Sequence, residues 1–320
     1  MRWGILSTAD ITDALLGSRS DQEFIAVGSR DAGRAEAWAA KRGVPRAYGS
    51  YDELLADDDV EAVYNPLPNS MHVEWSIKAL EAGKHVLCEK PMSRRPEDVE
   101  RAFDVAEAAG LVLEEAFMWR HNPQVARVRE LLDSGRIGDL KAIRAVFSFL
   151  CSDPDDVRLD PELDGGGLMD VGCYCVSGCR TIANAEPQRV YAEQVVGGKG
   201  VDVAMAATLR FGGDVLAHLD CGLSYEGGDY LEAVGTDGSL FLDDPWHGKV
   251  PVIEVRGPDR EPELVEVDLA NSYALELEDF AAAARGEREP LLGRADALAQ
   301  ARVIAALYDS AERNAPCPIA

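Results

Sequence analysis

The chain lacks a long hydrophobic run, is poor in lysine and has no regular set of metal-ligating residues. Each lack removes a class of function. No stretch of about 18 or more uncharged apolar residues occurs in the 320 residues, so no membrane-spanning helix is expected. The sequence opens directly on a strand-like segment, Met1 to Leu6, so no secretory leader is expected and the chain reads as cytoplasmic. Lysine occurs seven times against twenty-five arginines, and 57 acidic residues leave a formal charge of −25. That field repels phosphate backbones and anionic lipid surfaces, so neither nucleic acid nor membrane is an expected partner. An acidic, lysine-poor, alanine-rich surface suits a salty cytoplasm, where screening removes the self-repulsion, and a halophilic source is expected. The alternative is an acidic mesophilic protein from a GC-rich genome.

Seven cysteines form an odd, irregular set with no paired framework, which fits a reducing compartment. Cys173, Cys175 and Cys179 cluster, but no histidine or second cysteine pair flanks them at zinc spacing. They read as small buried residues. Asp153, Asp155 and Asp156 lack calcium-loop spacing, and Asp57-Asp58-Asp59 reads as a solvated turn. No metal is expected.

What is present is an ordered change of pattern. Short apolar strand-like runs cover Arg2–Leu6, Phe24–Ser29, Val60–Asn65, His85–Cys88 and Leu111–Glu114. Helical stretches Ala32–Arg42, Ser70–Ala82 and Pro96–Ala109 alternate with them, each stopping at a glycine. This series predicts a doubly wound parallel sheet over residues 1–120. After Pro123 a helix, Gln124–Ser134, leads into longer strands, among them Lys141–Leu150, Arg189–Val196, Val203–Phe211 and Val215–Ser224. Residues 121–320 thus read as a second domain on a large, mostly antiparallel open sheet, with one embedded helix near 168–183 and a helical end from Tyr273 to Arg313. The fold class is α/β joined to α+β.

The first strand-to-helix turn, Ser7-Thr8-Ala9-Asp10-Ile11-Thr12, holds small residues where a dinucleotide fingerprint has glycines. Ser7, Thr8, Ala9 and Ile11 are candidate cofactor contacts there, although small turns are common wherever a strand meets a helix. The second strand ends Ser29-Arg30-Asp31. A ribose 2′-hydroxyl would be met by a carboxylate at that place and a 2′-phosphate by an arginine. Arg30 offers a planar fork for phosphate and Ser29 a hydroxyl, whereas Asp31 reads as a helix N-cap. NADP is therefore the expected cofactor, with NAD as the alternative.

The run from Val63 to Pro91, with Pro66, Leu67, Asn69, His72 and then Glu89-Lys90-Pro91, resembles the glucose–fructose oxidoreductase/inositol dehydrogenase family (Gfo/Idh/MocA). Glu115-Ala116-Phe117-Met118-Trp119-Arg120 and Gly165-Gly166-Gly167-Leu168-Met169-Asp170-Val171-Gly172-Cys173-Tyr174 extend the resemblance over essentially the whole chain. A Rossmann domain at 1–120 and a substrate-binding, oligomerising domain at 121–320 are what it implies. It also implies hydride transfer between NADP(H) and a sugar, polyol or small carbonyl compound, as in the sugar and dihydrodiol dehydrogenase branch.

By that resemblance Tyr174 is the proton relay and Lys90 its cationic partner and substrate anchor. Asp170, at i, i+4 from Tyr174 on a helix, binds a substrate hydroxyl or orients the pair. Pro66, Leu67, Asn69, His72, Glu89 and Lys90 join the cofactor-binding set. Taken singly, each residue also has a structural reading: a solvated lysine, a capping aspartate, a core tyrosine. Two other activities stay open. One is a sugar–sugar oxidoreductase with tightly bound nucleotide; the other is a non-catalytic, cofactor-binding regulatory protein. A sheet with too few helices to cover both faces predicts a homodimer or homotetramer.

Overall fold

The computed structural model describes residues 1–18, 20–258 and 261–319. The chain divides into two compact units, one of Met1–Met118 with Tyr273–Leu298 and one of Trp119–Ser272 with Ala299–Ala320.

In the first unit, strands β1 (Arg2–Ile5), β2 (Glu23–Gly28), β3 (Arg46–Tyr48), β4 (Ala62–Asn65), β5 (His85–Glu89) and β6 (Leu113–Ala116) form one sheet. All neighbours are parallel, in the order β3-β2-β1-β4-β5-β6. The helices are α1 (Thr12–Leu16), α2 (Ala32–Arg42), α3 (Tyr51–Leu55), α4 (His72–Glu81) and α5 (Pro96–Ala109). Asp31 caps α2 by accepting the Arg34 N–H at 2.6 Å, and left-handed Gly43 ends it.

Two features of this unit depart from the sequence reading. The three-residue strand β3 is too short to register as a run, and it lies at the sheet edge. Asp57 is not in a solvated turn: Arg46 binds it and Asp59, and the Tyr48 hydroxyl donates to it at 2.8 Å.

The second unit holds α6 (Pro123–Asp133), α7 (Cys173–Ala183) and nine strands: β7 (Leu140–Leu150), β8 (Arg189–Val196), β9 (Asp202–Arg210), β10 (Leu216–Gly222), β11 (Ser224–Gly235), β12 (Ser239–Asp243), β13 (Val252–Arg256), β14 (Glu263–Glu266) and β15 (Cys317–Pro318). The order is β14-β13-β12-β11-β7-β10-β9-β8-β15, antiparallel except where β10 runs parallel to β7. Helix α7 lies buried against this sheet, with Cys173, Cys175, Val176 and Cys179 inward as small core residues. All seven cysteines are free thiols.

The predicted helical end is two helices, α8 (Ser272–Ala284) and α9 (Arg294–Arg313). Residues Tyr273–Leu298, expected in the second domain, belong to the first unit. The reason is packing. Leu277 and Phe280 join Trp3, Val27, Trp38, Tyr64 and Leu87 in one core, with the Phe280 and Trp3 rings 5.0 Å apart. No helix of the described residues is long and apolar enough to cross a membrane.

The triple glycine that opens the embedded helix is fixed by a buried carboxylate. Asp202, 4 % exposed, accepts the Leu168 N–H at 2.7 Å and the Tyr308 hydroxyl at 2.8 Å. Gly166 sits at φ +130°, and a Cβ there would collide with Asp202 Oδ1. Removing Asp202 would leave the buried Leu168 N–H without its acceptor and take one partner from the Tyr308 hydroxyl. Asp202→Ala is therefore expected to lose about 2–4 kcal/mol and Tyr308→Phe about 1 kcal/mol, read as denaturation midpoints.

Candidate active site

In an open parallel sheet, ligands meet the carboxyl ends of the strands where the strand order reverses. Here that place is between β1 and β4. The turn after β1 is built on the chain itself. Ser7 Oγ accepts the Ala9 N–H at 3.0 Å, while the Thr12 N–H and hydroxyl both donate to Ala9 O, at 3.1 and 2.6 Å. Ser7, Thr8, Ala9 and Ile11 are half-buried, and Thr12 is fully buried where the third small residue of a fingerprint belongs. At the end of β2, Ser29 is buried and its Oγ accepts the Asp31 N–H at 3.3 Å. Arg30 is exposed and takes part in none of the ion pairs among the described residues.

After β4, Pro66 and Leu67 are buried and Asn69 half-buried. His72, expected among the cofactor contacts, is 1 % exposed, and its two ring nitrogens face carbonyl oxygens: Nδ1 lies 2.9 Å from Pro91 O and Nε2 2.7 Å from Leu67 O. The ring thus ties the loops after β4 and β5 to each other. After β5, Glu89 Oε1 accepts the Tyr64 hydroxyl at 2.6 Å and Oε2 the Lys90 N–H at 3.2 Å. Burial and the Glu89 carboxylate push the Tyr64 hydroxyl far above its ordinary range, so it stays a donor. Lys90 is half-buried at the head of this loop.

The second unit holds Asp170 and Tyr174. A π-helical turn, Leu168–Gly172, feeds directly into α7, so the two residues follow one continuous helical path. Asp170 Oδ2 accepts the Arg158 Nε–H at 2.8 Å, and Arg158 also pairs with Asp156 at 3.2 Å. Arg158 escaped the sequence reading, because nothing in a loop marks which arginine will turn back onto the helix.

Tyr174 is 8 % exposed and stands in an aromatic group. Phe147 lies edge-on at 5.5 Å, Trp246 is tilted at 5.9 Å, and Trp119 meets Trp246 at 5.2 Å. The Trp246 indole donates to Val146 O at 3.1 Å, which fixes the wall. His247 also meets Phe147 edge-on, at 5.6 Å. Its Nδ1 lies 2.5 Å from Asp244 and 3.3 Å from Asp229. Phe147 lies on β7, Asp229 on β11, and Asp244, Trp246 and His247 on the turn after β12, so sheet register brings these residues together.

Comparison with known proteins places the two units. Residues 4–117 match the oxidoreductase family with an NAD-binding Rossmann fold, and residues 125–241 match the GFO/IDH/MocA C-terminal domain. The chain belongs to the GFO/IDH/MocA oxidoreductase family. The resemblance carried by Glu89-Lys90-Pro91 and the glycine-opened helix is thereby established, as is the fold class. Among relatives of this family member is the D-xylose 1-dehydrogenase (NADP(+)) 2 of Haloferax volcanii, 38 % identical, with 98 % of each chain covered. The trans-1,2-dihydrobenzene-1,2-diol dehydrogenase of Danio rerio is 32 % identical, covering 87 % of this chain and 86 % of that one. A 3-ketoreductase from Actinomadura kijaniata, solved with NADP and TDP-benzene, superposes with a TM-score of 0.91 at 31 % identity over 97 % of each chain.

The His247 cluster has a consequence for stability. The carboxylates of Asp229 and Asp244 raise its imidazole from the ordinary 6.5 to about 9. A raised value means the ion pair stabilises fully below pH 6.5 and is lost as pH rises through about 9. The ring is partly exposed, so solvent screening holds the effect to on the order of 1 kcal/mol. Denaturation at pH 6 and pH 9.5 should show that loss in the wild type, and His247→Asn should remove the difference.

Proposed function

We propose that this family member is a cytoplasmic NADP-dependent dehydrogenase or reductase acting on the hydroxyl or carbonyl of a sugar or polyol. The observation that carries the reading is the joint presence of Lys90 after β5 and of Asp170 and Tyr174 on one helical path in the second unit. The NADP-linked xylose dehydrogenase and 3-ketoreductase among its relatives support it. The net charge of −25 suits a cytoplasm of high salt.

The residues fit a dinucleotide. The turn at Ser7–Ala9 presents only small side chains, Ser7 keeps a hydroxyl proton to donate, and Arg30 is an exposed, unpaired fork at the end of β2. Ser7, Thr8, Ala9 and Ile11 would hold the pyrophosphate side, and Ser29 and Arg30 a 2′-phosphate. Pro66, Leu67, Asn69, Glu89 and Lys90 would line the nicotinamide end. When bound, the nucleotide supplies the hydride donor or acceptor.

The chain's own residues handle the proton. Tyr174 holds it at its hydroxyl oxygen, between the substrate oxygen and solvent. Lys90 stabilises the phenolate or alkoxide by its charge. Asp170, oriented by Arg158, takes a substrate hydroxyl, and the Phe147–Trp246 wall offers an apolar face to a sugar ring.

The open face of the second sheet supports a homodimer or homotetramer. Val146, Tyr191 and Tyr230 line a groove of about 370 Å³ there together with Arg144, Glu193 and Asp220, and Val195 is 60 % exposed. Tyr230→Glu should shift the mass measured by light scattering to that of a monomer.

Three variants test the chemistry. Lys90→Met and Tyr174→Phe should each lower kcat by roughly 10²–10⁴-fold while cofactor affinity changes little. The double variant should lose little beyond either single one, because the two groups act on one proton. Near-wild-type turnover in Lys90→Met, with cofactor bound, would overturn the mechanism. Arg30→Ala should cost NADP about ten- to a hundredfold in kcat/KM relative to NAD, the loss of one charged hydrogen bond.

A further inference from the structure

The peptide that joins Pro91 to Met92 is gripped at both ends by ionisable side chains. His72 Nδ1 lies 2.9 Å from Pro91 O, and Glu115 Oε1 accepts the Met92 N–H at 2.6 Å. Both side chains are buried, at 1 % and 2 % exposure, and Pro91 and Met92 are buried with them. His72 Nε2 faces a second carbonyl, Leu67 O, at 2.7 Å. A neutral imidazole has one N–H and would set a lone pair against one of these two oxygens. Only the imidazolium donates to both.

A buried cation needs a buried anion. The ionisable groups on the elements packed around His72 can be named. Strand β5 brings Cys88 and Glu89, with Lys90 beyond it, and β6 brings Glu115. The buried side of α5 is apolar, made of Val99, Ala102, Phe103 and Ala106. Burial pushes the Cys88 thiol far up, so it carries no charge. Glu89 is occupied with Tyr64 and the Lys90 N–H. Glu115 stands at the opposite end of the very peptide that His72 holds. Each charge thus faces the peptide dipole end of opposite sign.

We propose that His72 and Glu115 are positioning residues: an imidazolium on the Pro91 carbonyl and a carboxylate on the Met92 N–H act as one charge pair that fixes the backbone from which Lys90 projects. The role assigned to Lys90 rests on the proposed function; the charge pair itself does not.

The first test is spectroscopic and independent of catalysis. In wild-type enzyme labelled with ¹⁵N-histidine, the His72 ring should show two protonated nitrogens from pH 6 to pH 8.5. A single neutral tautomer at pH 7.5 overturns the proposal. The second uses Glu115→Gln, which keeps an oxygen to accept the Met92 N–H and removes only the charge. A purely structural role leaves this variant unchanged. The charge pair predicts that His72 now titrates between pH 6 and 8.5. On the alkaline side of that titration kcat should fall roughly ten- to a hundredfold, as displacement of a catalytic group costs, with cofactor affinity unchanged. A wild-type pH profile in Glu115→Gln overturns the claim. If Glu115→Gln fails to fold, the wild-type ring spectrum still decides. Should Lys90→Met stay active while His72 is doubly protonated, the mechanism falls and the charge pair stands.

Discussion

A parallel sheet must be dry on both faces, and in the first unit one face is closed by chain that returns from far along the sequence. Helices α3, α4 and α5 pack on one side and are supplied by the β–α alternation itself. The other side has α1, only five residues long, and α2. Trp3, Tyr64 and Leu87 would be left partly wet there without Leu277 and Phe280 of α8. That requirement draws Tyr273–Leu298 into the first unit and brings acids with it. Glu276 of α8 is 1 % exposed, and burial together with nearby Glu89 pushes its carboxyl well up from the ordinary range. Glu114, pushed up to about 8 by burial, accepts the Leu292 N–H at 3.2 Å.

Much of this fold was legible because its signals are local. Buried strands such as β4 read as apolar runs, and helices α2 and α5 stop at glycines that the sequence shows. The boundary at Met118 lies close to the change from alternating helices and strands to longer strands. Illegible were the features decided by distant packing. A helix's apolar stripe does not say which sheet it covers, so nothing in the sequence of α8 places it on the first one. Strand β15 has two residues and pairs with β8 more than a hundred positions away.

The candidate site divides in the same way. Lys90, Asp170 and Tyr174 stand in motifs that name themselves, because chemistry fixes residue type and spacing together. Arg158, Phe147 and Trp246 carry no such signature; strand register and one loop's path bring them to Tyr174 and Asp170. His72 shows what position in sequence leaves undecided. Its neighbourhood in sequence is that of the cofactor loops, while its side chain is buried and each ring nitrogen faces a main-chain carbonyl. Proximity along the chain places a residue near a site without saying whether it touches the ligand or holds what does.

Charge sets the last constraint. With a net −25, any anionic ligand approaches this protein against its field, and only local donors can hold it. Most cations of the first unit are already engaged: Arg2 with Asp59 and Glu61, Arg42 with Asp13, Arg46 with Asp57 and Asp59. Such surface pairs contribute little to stability, but they withdraw positive charge from other uses. Arg30 is withheld from that pairing, because the neighbouring carboxylate, Asp31, is turned to the N-terminus of α2 and spent on the Arg34 N–H. The N-cap therefore does two things at once. It starts the helix, and it turns the adjacent carboxylate away from the guanidinium at the carboxyl end of β2.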